Sequence, residues 1–218
     1  MSSLIKKYET EIEYLESDGK PLGETDKHRR LILYLIFALD TFFRRKKEVY
    51  VSGNLMLFYA EGDPTKVISP DVFVVLGAKK GDRRTYKIWE EKRVPNVVIE
   101  VSSRKTKRED FDKKMKLYAE LGVKEYFIFD PDYPKTRQAF NAYRLSRGQY
   151  LPVIITSGKV FSQELGLELV DTGETLRLFN PKTKRFLMTP EEESLARQQA
   201  ESELTRLRAE IDKLKSKS

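Results

Sequence analysis

The segment that most constrains this chain is Asn96-Val97-Val98-Ile99-Glu100-Val101-Ser102. Val97 to Val101 is short and almost continuously apolar, the pattern of a central strand covered on both faces. Glu125 to Phe129 reads the same way and ends at Asp130-Pro131. Between the two, Arg108 to Leu121 has helical periodicity and stops at Gly122, a favoured residue just past a helix. Upstream, Glu24 to Phe43 reads as a first helix. Thr25 or Asp26 can cap it, and Ile32, Leu35, Leu39 and Phe42 form its apolar stripe. Val49 to Tyr59 reads as a long strand or strand pair interrupted at Ser52-Gly53-Asn54, where glycine suggests a bulge or turn. Val67 to Leu76 is a further strand region, broken early by Pro70. Tyr143 to Ile155 and Leu165 to Phe179 read as short strands or loops.

Composition narrows the chemistry. With 218 residues the chain can bury a real core, as one domain of ordinary size plus an appendage. No cysteine is present, which removes a disulfide scaffold, a thiol nucleophile and thiolate metal sites. A single histidine removes multi-histidine zinc chemistry. A bound metal would rest mainly on oxygen ligands, which suits Mg²⁺ or Mn²⁺. The longest apolar run, Leu31 to Leu39, is far shorter than a bilayer span, and the N-terminus has no apolar signal core, so a cytoplasmic protein without a membrane partner is expected. The net charge is +7. Lys79 to Arg93 and Arg104 to Lys116 each carry seven bases against three acids. Such clusters attract polyanions, nucleic acid first, although a solvated surface has the same composition. Arg104, Lys105, Lys107 and Arg108 are the candidate nucleic-acid contacts.

The last segment differs from the rest. Residues 191–218 carry seven acids and six bases, with neither aromatics nor glycine. Leu204, Leu207, Ile211 and Leu214 are spaced three, four, three, a heptad seam of about two repeats. The seam could pair between subunits, or the helix could stand solvated and fray. The expected division is a domain over 1–190 and a charged helical tail over 191–218. No longer internal repeat is present.

Three ionisable residues stand where the pattern asks for an apolar one. Asp71, in Ser69-Pro70-Asp71-Val72, is an acid at the mouth of a hydrophobic strand, although Pro-Asp is also ordinary turn chemistry. Glu100 lies inside the strand run and shares a face with Val98 and Ser102. A carboxylate there is costly without a cation or donors to satisfy it. Lys114 lies three residues after Phe111 and four before Tyr118, on the side of the Phe111/Met115/Tyr118/Leu121 stripe; at the stripe's edge it would instead snorkel to water. Glu24 and His28 are four apart and share one face of the first helix. Two acids on neighbouring strands and a lysine facing them suit phosphodiester hydrolysis: carboxylates hold Mg²⁺, and an ammonium orients water or stabilises developing charge.

The segments Ser69-Pro70-Asp71, Pro95-Asn96-Val97-Val98-Ile99-Glu100-Val101, Asp112-Lys113-Lys114-x-x-x-Tyr118 and Gly122-Val123-Lys124-Glu125-Tyr126 to Pro131 resemble the Uma-two family of restriction-endonuclease-like proteins. Asp18-Gly19-Lys20-Pro21, Glu24-Thr25-Asp26-x-His28-Arg29 and Val51-Ser52-Gly53-Asn54-Leu55 resemble one branch of it. The likeness is ordered along roughly residues 10–190. It implies the PD-(D/E)xK nuclease superfamily and its α/β fold, a mixed central sheet flanked by helices with the site at the sheet's edge. By resemblance, Asp71 and Glu100 are metal ligands, the Val101 carbonyl is a third, and Glu24 is an extra acid. His28, a lone histidine aligned with the apolar stripe of the first helix, reads as a satisfied core residue or, like Ser102, as a group standing behind the ligands. The motif's lysine falls at position 102, where this chain has Ser102. The resemblance points to a migrated lysine, and Lys114 occupies its place. The expected function is a Mg²⁺- or Mn²⁺-dependent DNA endonuclease acting as a homodimer. The alternative is a nucleic-acid-binding or assembly protein of little or no activity on the same fold.

Overall fold

The computed structural model describes residues 13–16, 25–102, 109–132 and 139–215. A six-stranded mixed sheet forms its centre. Its strands are β1 (Val49–Ser52), β4 (Val72–Leu76), β6 (Val97–Val101), β7 (Glu125–Phe129), β8 (Phe140–Ser146) and β9 (Gln149–Pro152), in that spatial order. Within this sheet only β6 and β7 run parallel. Parallel neighbours need a crossover, and the chain supplies it as a π-helical turn over Glu109–Lys114 that runs into α3 (Met115–Leu121). Gly122 ends α3 with φ 88°, a conformation that glycine adopts without steric cost.

Both predicted central strands are buried along their whole length, because the sheet has two covered faces. On one lies α1 (Asp26–Phe42), capped by the Thr25 hydroxyl, which accepts the His28 N–H at 3.3 Å. Leu31, Ile32, Leu35, Ala38 and Leu39 of α1 pack on Val72, Val74, Val97, Ile99 and Val101. A second, antiparallel sheet closes this core: β10 (Lys159–Ser162), β11 (Leu167–Asp171), β12 (Leu176–Asn180) and β13 (Arg185–Phe186). On the other face Phe73, Val75, Val98, Tyr126 and Ile128 meet Tyr118 of α3 and Tyr86. A small three-stranded sheet stands there, formed by β2 (Leu57–Phe58), β3 (Val67–Ile68) and β5 (Tyr86–Lys87), the last leading into α2 (Ile88–Glu91). Of the long strand or strand pair expected over 49–59, the structure has two strands, which lie in different sheets and do not pair with each other, and Pro70 separates β3 from β4.

Glu125 binds the second sheet to the first. Its buried carboxylate accepts from the Ser162 hydroxyl, from the backbone N–H of Gln163 at 2.9 Å and Glu164 at 3.3 Å, and from Arg144 at 3.2 Å. The chain ends in α4 (Pro190–Lys215), none of whose residues is buried. No helix among the described residues is long and apolar enough to cross a membrane.

Candidate active site

Register brings the two acids together. In the antiparallel β4–β6 ladder Val72 stands opposite Ile99. One more step sets Asp71 opposite Glu100, on the face shared by Phe73 and Val98. Glu100 is wholly buried. Its Oε1 accepts the Tyr118 hydroxyl at 2.7 Å and its Oε2 accepts the Lys114 ammonium at 2.9 Å. The Asp71 backbone N–H also lies toward Oε2, at 3.4 Å. Asp71 Oδ2 accepts the Val101 N–H at 2.7 Å, and His28 Nε2 lies 4.0 Å from that same oxygen. His28 Nε2–H donates to the Val101 carbonyl. That contact ties the start of α1 to the end of β6.

The π-helical turn supplies the cation. A regular helix was expected over this segment. The wider first turn instead sets Asp110 and Lys114 against the sheet, and π turns recur at functional sites. Lys114 Nζ lies 3.1 Å from Asp110 Oδ1. Asp110 is itself buried, and its backbone carbonyl accepts the Tyr126 hydroxyl at 2.9 Å. The Ser102 hydroxyl is enclosed and has no hydrogen-bond partner among the described residues, so it assists none of these groups directly.

Three acids thus surround one ammonium. Burial pushes the Asp71 carboxyl well above the usual carboxylate range, and the neighbouring Glu100 charge adds to the shift; Lys114 opposes it without cancelling it. Burial disfavours the Lys114 ammonium, but Glu100, Asp110 and Asp71 outweigh that effect, so its pKa is raised. Lys114 therefore stays protonated at neutral pH, as a hydrogen-bond donor and not a base. Burial, then Glu100, hold the Tyr118 hydroxyl protonated far into the alkaline range.

The family model described as "Putative restriction endonuclease", Uma2, matches residues 5–175. The chain belongs to the Uma2 family. No functionally curated protein matches this Uma2 chain. Among solved structures it is similar to "a putative nuclease belonging to DUF820" from Anabaena variabilis ATCC 29413, with 16% identity over 70% of this chain and 81% of that one and a TM-score of 0.49.

The donor set of this Uma2 protein suits a hard divalent cation. Two carboxylates and a carbonyl would offer it only oxygen, and three acids stand around the single Lys114 ammonium. His28 uses one lone pair of the Val101 carbonyl, and a carbonyl oxygen has two. Among the described residues no three His, Cys, Asp or Glu side chains are arranged to enclose an ion.

Of the residues singled out in the sequence, Asp71, Glu100, Val101, Lys114 and His28 stand together. Glu24 and the basic residues Arg104, Lys105, Lys107 and Arg108 lie outside the described residues. The other basic stretch is largely neutralised internally. Lys80 pairs with Asp40 at 2.6 Å, Lys87 with Glu90 at 3.0 Å, Arg84 with Glu16, and Arg83 with Glu91 at 2.6 Å while stacking over Tyr50 at 4.0 Å. Sequence reasoning missed three contributors. Tyr118 was read only as apolar. Asp110 was lost in a run of charges, although its spacing of four from Lys114 is an ion-pair spacing. Gly53 was read as a bulge or turn, but its role is close packing: a Cβ there would lie 2.0 Å from the Asp71 carbonyl oxygen and 2.7 Å from Ile36 Cδ1.

Proposed function

We propose that this protein is an endonuclease that hydrolyses phosphodiester bonds in DNA with the help of Mg²⁺ or Mn²⁺. The observation that carries the reading is the convergence of Asp71 and Glu100, with Lys114 2.9 Å from Glu100. In this reading Asp71, Glu100 and the Val101 carbonyl hold the cation, and Glu24 is an additional acid. Such an ion, when bound, supplies a more acidic water and neutralises charge on the phosphoryl oxygens. The chain's own groups do the positioning. The Val101 N–H fixes the Asp71 carboxylate, and Tyr118 with Lys114 fixes both oxygens of Glu100. The protonated Lys114 stabilises negative charge that grows as the new P–O bond forms and the old one breaks. His28 holds the β6 end by its bond to the Val101 carbonyl.

In this reading the partners are DNA, contacted through Arg104, Lys105, Lys107 and Arg108, and a second copy of the chain. The protein works in the cytoplasm as a nuclease domain over 1–190 and a helical tail over 191–218. The test is plasmid nicking with Mg²⁺ or Mn²⁺, comparing wild type with Asp71→Ala, Glu100→Ala and Lys114→Ala. Cleavage by wild type alone is expected, and equal activity in all four rejects the reading. The second reading is a DNA-binding protein with little activity. It is favoured by Ser102 at the motif lysine position and by Lys114 lying between two buried carboxylates. Salt-sensitive DNA binding without metal-dependent nicking would select it.

A further inference from the structure

Helix α4 spans 26 residues with none buried. Along it Leu204, Leu207, Ile211 and Leu214 are 49%, 44%, 50% and 63% exposed. Their three-four-three spacing puts them on one seam, with Leu204 and Ile211 at its a positions and Leu207 and Leu214 at its d positions. Ala200 continues the seam toward the N-terminus. At the next position stands Arg197, which pairs with Glu201 of its own helix at 2.9 Å, so the seam begins at Ala200. A helix that leaves such a row in water covers it by pairing.

The charges beside the seam decide what covers it. In a parallel, in-register pair, a residue at a g position faces the e position five residues later on the other helix. Here those pairs are Glu203 with Arg208 and Glu210 with Lys215. Both are opposite in sign, and two-fold symmetry repeats them on the other side. An antiparallel pair would set Glu210 against Glu210 and Arg208 against Arg208, with only Glu201 and Lys215 meeting as opposite charges. Among the described residues Arg208, Glu210 and Lys215 make no ion pair within the chain, and all three are exposed. Ile at an a position with Leu at d positions favours two strands.

We infer that α4 is a homodimerisation helix that pairs with α4 of a second copy as a parallel, in-register, two-stranded coiled coil over residues 200–215. This rests on the second-copy part of the reading above and is independent of its catalytic part. The seam is short, so the dimer is concentration-dependent.

The absence of cysteine provides a clean test on the full chain. In a parallel pair, Leu214→Cys faces its own copy and forms an intermolecular disulfide under mild oxidation. In an antiparallel pair, residue 214 would lie beside residue 204 of the other helix, about 15 Å from its own counterpart. The second arm is mass by light scattering over a concentration series. Glu203→Lys with Glu210→Lys should weaken the dimer roughly tenfold or more, by replacing attraction with repulsion at four contacts. Adding Arg208→Glu with Lys215→Glu should restore it. An unchanged thermal melt shows that the domain still folds, since the substituted residues are exposed. A monomer at every concentration overturns both the dimer and the seam. A dimer indifferent to the charge reversal leaves the second copy standing and overturns this seam. A charge-sensitive dimer that fails to cross-link at 214 overturns the parallel register. Plasmid nicking by a monomer would leave the catalytic reading intact.

Discussion

Lys114→Met should destabilise the metal-free protein strongly. The Glu100 carboxylate is wholly buried, and among the described residues Lys114 is the only cation within salt-bridge distance of it. Methionine keeps most of the lysine's volume and removes the charge. What remains at Glu100 is the Tyr118 hydroxyl and the distant Asp71 N–H. Removing one partner of a buried pair costs about 3–5 kcal/mol, because the other charge is left uncompensated. Asp110 loses the same ammonium, so the upper half of that range is expected. A domain of this size has about 5–15 kcal/mol in all. With a urea slope of about 2 kcal/mol per molar, the midpoint should fall by about 2 M. The assay is urea unfolding at neutral pH in EDTA, with Lys116→Met as control. Lys116 is exposed and makes only a 4.0 Å contact to Glu120, so that control should lie within about 0.5 kcal/mol of wild type. A Lys114→Met variant within about 1 kcal/mol of wild type would refute the view that this lysine neutralises buried acids.

Asp71→Asn should move stability the other way in EDTA. The folded pKa of Asp71 is raised, so its favourable contribution is present below the unfolded value and is lost as pH rises through the folded value. Above that point the ionised Asp71 opposes Glu100, and the asparagine variant should melt higher than wild type while losing cleavage; a lower Tm at neutral pH would contradict this. Gly53→Ala forces a Cβ into the Asp71 carbonyl and Ile36, which should cost about 1–3 kcal/mol and depress nicking. Gly62→Ala, where a Cβ meets nothing, should leave nicking unchanged. Glu125→Ala should cost about 3 kcal/mol or more in urea unfolding, because it orphans two backbone N–H groups and the Ser162 hydroxyl. Nicking per folded molecule should survive that change.

The parts of the site visible in the sequence were those that broke a local pattern. Glu100 stood out because a carboxylate interrupts an apolar run, and Lys114 because it falls on an inward helical stripe. Asp71 was weaker, since Pro-Asp is also a turn. Asp110 broke no pattern: its neighbours are all charged, and the π turn that carries it inward has no composition of its own. Tyr118 fitted the apolar stripe, and only the Glu100 oxygen beside its hydroxyl gives that hydroxyl a role. The same limit applies to the bases of Lys79 to Arg93. Composition marked them as a polyanion surface, while Asp40, Glu91 and Glu90 neutralise several of them.

The sequence alone determined the elements, because helix and strand periods are local: the buried strands β6 and β7, the helix between them, α1 with its cap, and the charged tail with its seam. Only the tertiary structure decided which side chains meet. Asp71 faces Glu100 because Val72 pairs with Ile99, and a slip of one residue would send Asp71 to the opposite face. That register is set by both covered faces of the sheet at once, so no single segment encodes it. The same packing buries Glu100 and Asp110 and half-buries Asp71 around one lysine, and that burial sets the charge balance of the site.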